Sequence, residues 1–135
     1  MKINKIKILI IMFTLTFFIG RAQKSYIYVA PMDVTVPYSI SCHNLLDAFN
    51  ESIEKINLNK AKKDRIYSLI VPLKKMTTKP YTDIRYKGEV CIKKQKINFC
   101  GDESTISVNG VYYETSGELI QYIKNLKKRT AKQNL

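Results

Sequence analysis

Three cysteines and one histidine carry the most reactive chemistry in this sequence. The thiols are Cys42, Cys91 and Cys100, and His43 directly follows the first of them. A thiol beside an imidazole is the pairing of a nucleophilic cysteine and its base. Neighbours along a helix, however, project about 100° apart and do not face each other, and the chain has one histidine. An enzyme that uses Cys42 is therefore the least favoured hypothesis, and we expect no catalytic residues.

The same thiols form disulfides if the chain reaches an oxidising compartment. Cys91 and Cys100 flank the polar break of a predicted hairpin. With the turn centred on Gln95-Lys96 they lie directly opposite each other, close enough to bond, whereas a turn on Lys94-Gln95 leaves them about 7 Å apart. Both registers keep the same apolar face, so the choice stays open. We expect a Cys91–Cys100 bond, with Cys42 either a small buried hydrophobe or paired with one of the other two.

The first 22 residues have the order of charge, apolar run and small residues that export requires. Three lysines precede the apolar residues 8–19, and Gly20-Arg21-Ala22 follows as a small-x-small exit. The apolar run is shorter than the roughly 20 residues that span a bilayer as a helix. We therefore expect a signal peptide at 1–22 and a periplasmic or secreted protein. The alternative is an uncleaved anchor, which would be the one contact with a membrane.

The chain is strongly basic, with a formal net charge of +12. Four of its 23 basic residues lie in the predicted signal, which has no acids, so the remainder is less basic. Such a charge attracts phosphates, anionic lipid or acidic glycans. Only four of the 23 are arginine, the residue whose planar fork suits phosphates and base edges, which argues against specific nucleic-acid binding. A polyanion or glycan binder is the second function hypothesis.

The remaining sequence predicts one small α+β domain at 23–130, with a loose tail at 131–135. We expect an antiparallel β-meander of four to six strands with two covering helices. A first strand at 25–30 is followed by an extended edge segment, and apolar spacing predicts a helix from Ser41 to Asn57. Residues 65–71 fit either a buried strand or the tail of a second short helix.

The second half of the chain has the clearer pattern. Residues 81–87 alternate apolar and charged side chains and predict a half-buried strand. Asn109-Gly110 between two apolar runs predicts a two-residue type I′ turn. Thr115-Ser-Gly-Glu118 predicts a capping box at the start of a closing helix, in which Thr115 and Glu118 satisfy backbone N–H groups reciprocally. The apolar stripe of that helix is predicted at Leu119, Ile120, Ile123 and Leu126.

Tyrosines with cations close by mark a candidate binding face on the predicted strands. Its members are Tyr81, Arg85, Tyr86, Lys87 and Tyr112. The glycines form no phosphate-cradling loop, and the cysteines lack the Cys-x-x-Cys spacing of a metal site, so we expect no cofactor and no metal. The favoured hypothesis is a small exported, non-enzymatic binding protein of the bacterial envelope or exterior. Its partner would be a protein, as for an inhibitor or an immunity protein.

Overall fold

The computed structural model describes residues 23–133, so the predicted signal at 1–22 lies outside the described residues. They form an antiparallel sheet with α-helices, which confirms the α+β class. The strands are β1 (Ser25–Val29), β2 (Glu54–Leu58), β3 (Tyr86–Ile92), β4 (Gln95–Gly101), β5 (Thr105–Val108) and β6 (Val111–Glu114). The helices are α1 (Leu45–Phe49), α2 (Lys60–Ile70) and α3 (Gly117–Gln133). The strand order across the sheet is β2-β1-β3-β4-β5-β6.

One face of the sheet, the inner face, packs against α2 and α3 and holds the main core. Alternate residues of the strands point to this face because side chains in a strand repeat every two residues. The predicted apolar stripe of the closing helix supplies the opposite wall. The buried members are Ile27, Val29, Ile56, Leu58, Tyr86, Val90, Ile97, Phe99 and Ile106 from the sheet, Ile66, Leu69 and Ile70 from α2, and Leu119, Ile120, Ile123 and Leu126 from α3.

The opposite face, the outer face, is covered at one end by residues 31–53. This segment connects β1 to β2 and includes α1 and a short 3-10 turn at Asn50–Ser52. A second apolar cluster forms beneath it from Ala30, Ile40, Leu45, Phe49, Ile84 and Cys100. Within the part of the chain that the structure describes, α2 and α3 therefore cover the inner face, whereas residues 31–53 cover one end of the outer face.

The predicted helix from Ser41 to Asn57 is wrong over most of its length. Helical structure ends in the 3-10 turn, where Asn50 has a positive φ of 30°, and the chain then forms strand β2. Ile56 and Leu58 are buried there, while Lys55 and Asn57 are exposed. Apolar residues at 53 and 56 fit helical spacing, but 56 and 58 also fit a strand. Pairing with β1 decides between the two periods.

The residues that follow β2 form a single helix, α2. Its first turn lies in residues 60–63, and residues 65–71, which fit either a strand or a helix by pattern, are helical through Ile70. The Asn59 side chain accepts a hydrogen bond from the Lys62 N–H at 2.9 Å, which caps the helix. An N-cap at Asn59 is therefore the local signal that sequence reasoning missed.

The closing helix differs from the prediction at both ends. Its first turn is capped by Ser116, whose hydroxyl accepts from the Leu119 N–H at 3.2 Å, rather than by Thr115. Glu118 pairs across to Arg65 on α2 instead of reaching back along its own helix. The helix also extends to Gln133, so the predicted loose tail at 131–135 is helical over its first three residues. Residues 134–135 lie outside the described part.

Two of the three β-hairpins in the second half, β3–β4 and β5–β6, have two-residue turns. Asn109 and Gly110 have positive φ values of 48° and 85°, and Val108 pairs with Val111, as predicted. The other turn is Lys93-Lys94, with φ values of 49° and 66°, and it brings Ile92 opposite Gln95. The predicted strand at 81–87 begins only at Tyr86.

Gly101 lies where β4 packs tightly against its neighbours. A Cβ atom there would be 2.5 Å from the Thr105 carbonyl oxygen and 2.6 Å from the Tyr86 hydroxyl. We expect Gly101→Ala to lower the free energy of unfolding by about 1–3 kcal/mol because overpacking forces the backbone apart. In Gly117→Ala, the matched control, the added methyl meets nothing within 4 Å. Urea denaturation compares the two variants, and equal midpoints would contradict the expectation.

Candidate functional site

The structure joins Cys42 to Cys100 in a disulfide and leaves Cys91 free and buried. The two Cα atoms are 6.0 Å apart, within the ordinary range for a disulfide. The bond fastens residues 31–53 to strand β4 on the outer face. Because its sulfur is bonded in this structure, Cys42 presents no free thiolate to His43.

The predicted Cys91–Cys100 bond is wrong because the hairpin has a register that neither predicted turn position provides. With the turn at Lys93-Lys94, Cys91 lies opposite Lys96 and Cys100 lies opposite Lys87. The two cysteines share the outer face but are four residues apart along the strands, or about 13 Å at the usual rise per residue. That distance is far beyond the reach of a disulfide.

Beside its covered end, the outer face presents an array of polar and aromatic side chains that we call the open face. Strand register aligns one row of outer-face residues across the six strands: Lys55, Tyr28, Lys87, Cys100, Ser107 and Tyr112. Cys100 is the buried member of this row, because it is bonded to the covering segment, so the open face comprises the other five. A second row runs beside it across four strands: Asn57, Tyr26, Glu89 and Asn98. Most of these side chains are half-buried or exposed, in contrast to the inner face.

An aromatic pair forms the β1 side of the open face. The rings of Tyr26 and Tyr28 meet edge to face, with centroids 5.5 Å apart. The ammonium group of Lys55 lies 4.8 Å from one ring centroid and 5.5 Å from the other. Such cation–π contacts orient both rings before any ligand arrives. The pair is thus a preorganised amphipathic surface with two phenolic hydroxyls.

A groove of about 340 Å³ crosses the same face. Tyr26, Lys87, Asn98 and Ser107 line it from the sheet, and Cys42 lines it from the covering segment. The Lys87 ammonium donates a hydrogen bond to the Cys42 carbonyl at 3.0 Å, so the disulfide-bonded segment forms one wall. Tyrosine, serine and asparagine supply contact area and adaptable hydrogen bonds, as they do in protein-binding loops.

One ion pair lies on the open face. The Lys96 ammonium is 2.7 Å from a carboxylate oxygen of Glu89. The hydrogen bond to this carboxylate and its charge raise the pKa of Lys96. Lys96 neutralises the charge of Glu89. The charges of Lys55 and Lys87 therefore make the open face positive.

The structure brings together two of the five residues predicted as a binding face. Lys87 and Tyr112 share a row of the open face, whereas Tyr86 is wholly buried in the inner core and Arg85 is buried beneath residues 31–53. Tyr81 is 81% exposed but lies in the loop before β3. The prediction failed because adjacent residues such as Arg85 and Tyr86 point to opposite sides of the chain.

Sequence reasoning missed the aromatic pair and the lysine that orders it. The signal for Tyr26 and Tyr28 was present, since they alternate with the buried Ile27 and Val29 along β1. Lys55 had no such signal, because its segment was assigned to a helix. The open face therefore became visible only once β2 was placed beside β1.

Arg85 is a buried cation that anchors the covering segment. Its guanidinium pairs with Asp83 at 2.5 Å and donates to the Pro31 carbonyl at 3.4 Å. It also stacks over the Phe49 ring, 5.0 Å from the centroid. These contacts fasten both ends of residues 31–53 to the segment that precedes β3, so Arg85 supports the open face rather than belonging to it.

Neither a metal centre nor a membrane span emerges from residues 23–133. No cluster of three or more His, Cys, Asp or Glu side chains in that range could hold a metal ion. Among those same residues, no helix combines the length and apolar character needed to cross a membrane.

We expect loss of the disulfide to lower the free energy of unfolding by about 4 kcal/mol in the chain-entropy model, since Cys42 and Cys100 are 58 residues apart. The variants Cys42→Ser and Cys100→Ser test this by urea denaturation, with Cys91→Ser as the control that keeps the bond. Thiol titration of the unfolded, unreduced protein should find one thiol, that of Cys91. Finding three would contradict the pairing.

Tyr86 should make the fold sensitive to alkali. Burial raises the pKa of this phenol above its ordinary value of 10.0, so above that pH the unfolded chain loses a proton that the native chain keeps. Stability therefore falls as pH rises. We expect Tyr86→Phe to remove up to about 1.4 kcal/mol per pH unit of that fall. Urea unfolding of both proteins at neutral and alkaline pH measures it, and identical pH slopes would refute it.

Compared with known proteins, the chain matches no family model, no curated protein and no solved structure. The functional argument therefore comes from its own residues.

Proposed function

We propose that this chain is an exported, non-enzymatic binding protein that holds a protein partner on its open face. The observation that carries the proposal is the Tyr26–Tyr28 pair on β1, which is ordered by Lys55 from β2 and lies beside Lys87 of β3. Tyrosine is enriched at protein interfaces because it offers a large apolar area with a polar tip and few rotatable bonds.

The disulfide supports the export part of the proposal. A bond such as Cys42–Cys100 persists in the periplasm or outside the cell, whereas the cytosol keeps thiols reduced. The charged, apolar and small residues at 1–22 have the order of an export signal, which agrees with such a compartment.

Rigidity supports a role of the inhibitor or immunity type. The open face is built on strands, and its groove wall is fixed by a disulfide and by the buried Arg85. A preordered surface loses little conformational freedom when it binds, so more of the contact energy appears as affinity. The positive charges of Lys55 and Lys87 favour an acidic patch on the partner.

A second candidate, the polyanion or glycan binder, is favoured by a different surface. The C-terminal half of α3 carries five cations: Lys124, Lys127, Lys128, Arg129 and Lys132. Cations near a helix C-terminus also interact favourably with the helix dipole. A polyanion would bind here with an affinity that falls steeply with salt, and this salt dependence distinguishes it from an aromatic protein interface.

The test identifies a partner by affinity capture and then measures its dissociation constant by calorimetry. We expect Tyr28→Ala and Lys55→Ala to weaken binding, the former by about tenfold or more, as for a central interface tyrosine. Tyr81→Ala makes the same chemical change in the loop before β3 and is expected to change affinity less than about twofold.

Two outcomes would overturn the proposal. One is a partner that binds all three variants equally. The other is retention of the protein on heparin at low salt that is lost as salt rises, with no effect of Tyr28→Ala, which would favour the polyanion hypothesis.

A further inference from the structure

A second cavity lies between the end of β1 and helix α3. Its volume is about 540 Å³, and residues 29–32 (Val29, Ala30, Pro31 and Met32) form an apolar floor. Cavities of this size with an apolar lining and a few charged groups are typical of small-molecule sites. Because α3 packs on the inner face, the cavity and the open face are separate surfaces, and this inference does not rest on the proposed function.

The charges around this cavity are divided between its two sides. Lys124, Lys127 and Lys128 approach it from α3. Asp33 and Glu54 approach it from the strand side, as does Glu103 from the loop before β5. The lining thus combines an apolar floor with charged groups of both signs.

Ion pairing leaves two of the lysines available to a ligand. Glu103 is already paired with Lys124, whereas the ion pairs of the described residues include neither Lys127 nor Lys128. Further along α3, Arg129 and Lys132 line an adjacent groove with Lys128 and add positive charge on the same side.

We propose that this cavity binds a small amphiphilic anion. Its apolar body would lie on residues 29–32, and its carboxylate, sulfonate or phosphate would pair with Lys127 and Lys128. Asp33 and Glu54 repel the anionic group from the strand side and so fix the orientation of the ligand. A polyanion would use the lysines without the apolar floor, and a neutral apolar molecule would use the floor without the lysines.

Two dyes that share a carbon skeleton and differ in charge distinguish a site for an amphiphilic anion from a site for a neutral apolar molecule. 1-Anilinonaphthalene-8-sulfonate has an apolar body and one negative charge, and N-phenyl-1-naphthylamine is the same body without the charge. We expect the full chain to bind the sulfonate saturably and about tenfold more tightly than the neutral dye, a difference of about 1.4 kcal/mol. Laurate, an anion with an unrelated apolar body, should displace the sulfonate.

Charge-reversal variants test whether the dye binds beside Lys127 and Lys128. K127E/K128E should weaken sulfonate binding by about tenfold or more and leave the neutral dye within about twofold. The matched control, K93E/K94E, makes the same change in net charge at the exposed β3–β4 turn and should leave both dyes unaffected. Met32→Gln should weaken both dyes, because it replaces an apolar side chain of the floor with an uncharged polar one. All variants are made in the full chain, so dye held by residues 8–19 contributes equally, and thermal unfolding verifies that each is folded.

Three results would overturn the proposal. The first is equal sulfonate affinity for K127E/K128E and K93E/K94E. The second is equal affinity of the unaltered protein for the two dyes, which would indicate a neutral apolar site. The third is failure of laurate to displace the sulfonate, or displacement by heparin alone, which would indicate a polyanion surface.

Discussion

Attachment of residues 31–53 to the outer face is the constraint on which the rest of the structure depends. This segment leaves β1, crosses the sheet and returns to form β2 against the same strand. A covalent bond at Cys42–Cys100 and a buried cation at Arg85 hold it there. Without it, the apolar residues at the end of the outer face would meet water. With it, the groove has a fixed wall, and β2 returns to the edge of the sheet where Lys55 meets the two tyrosines.

The two candidate sites differ in their physical character. The open face is broad, aromatic and built on strands, which suits a macromolecular partner. The cavity beside α3 has an apolar floor and is bordered by helix lysines, which suits a small anionic ligand. They lie on opposite sides of one sheet, whose shared inner core holds both in place.

Local signals predicted local structure well. The Asn109-Gly110 turn and the apolar stripe of α3 are encoded by neighbouring residues, and both are confirmed. Residues 53–58 fit two periods, and the choice was made by β1, a strand nearly thirty residues away in sequence. The disulfide depended on a turn one or two residues from the expected position. The predicted binding face required knowledge of where β3 begins, which no local pattern supplied.

The hairpin register also governs how the three thiols are sorted during oxidation. Three cysteines permit three pairings, and the Lys93-Lys94 turn removes one of them by keeping Cys91 and Cys100 apart along the strands. If this hairpin forms first, as local contacts favour, Cys100 meets Cys42 as its partner when residues 31–53 dock. The position of a two-residue turn of lysines thereby favours the Cys42–Cys100 pairing over the Cys91–Cys100 pairing.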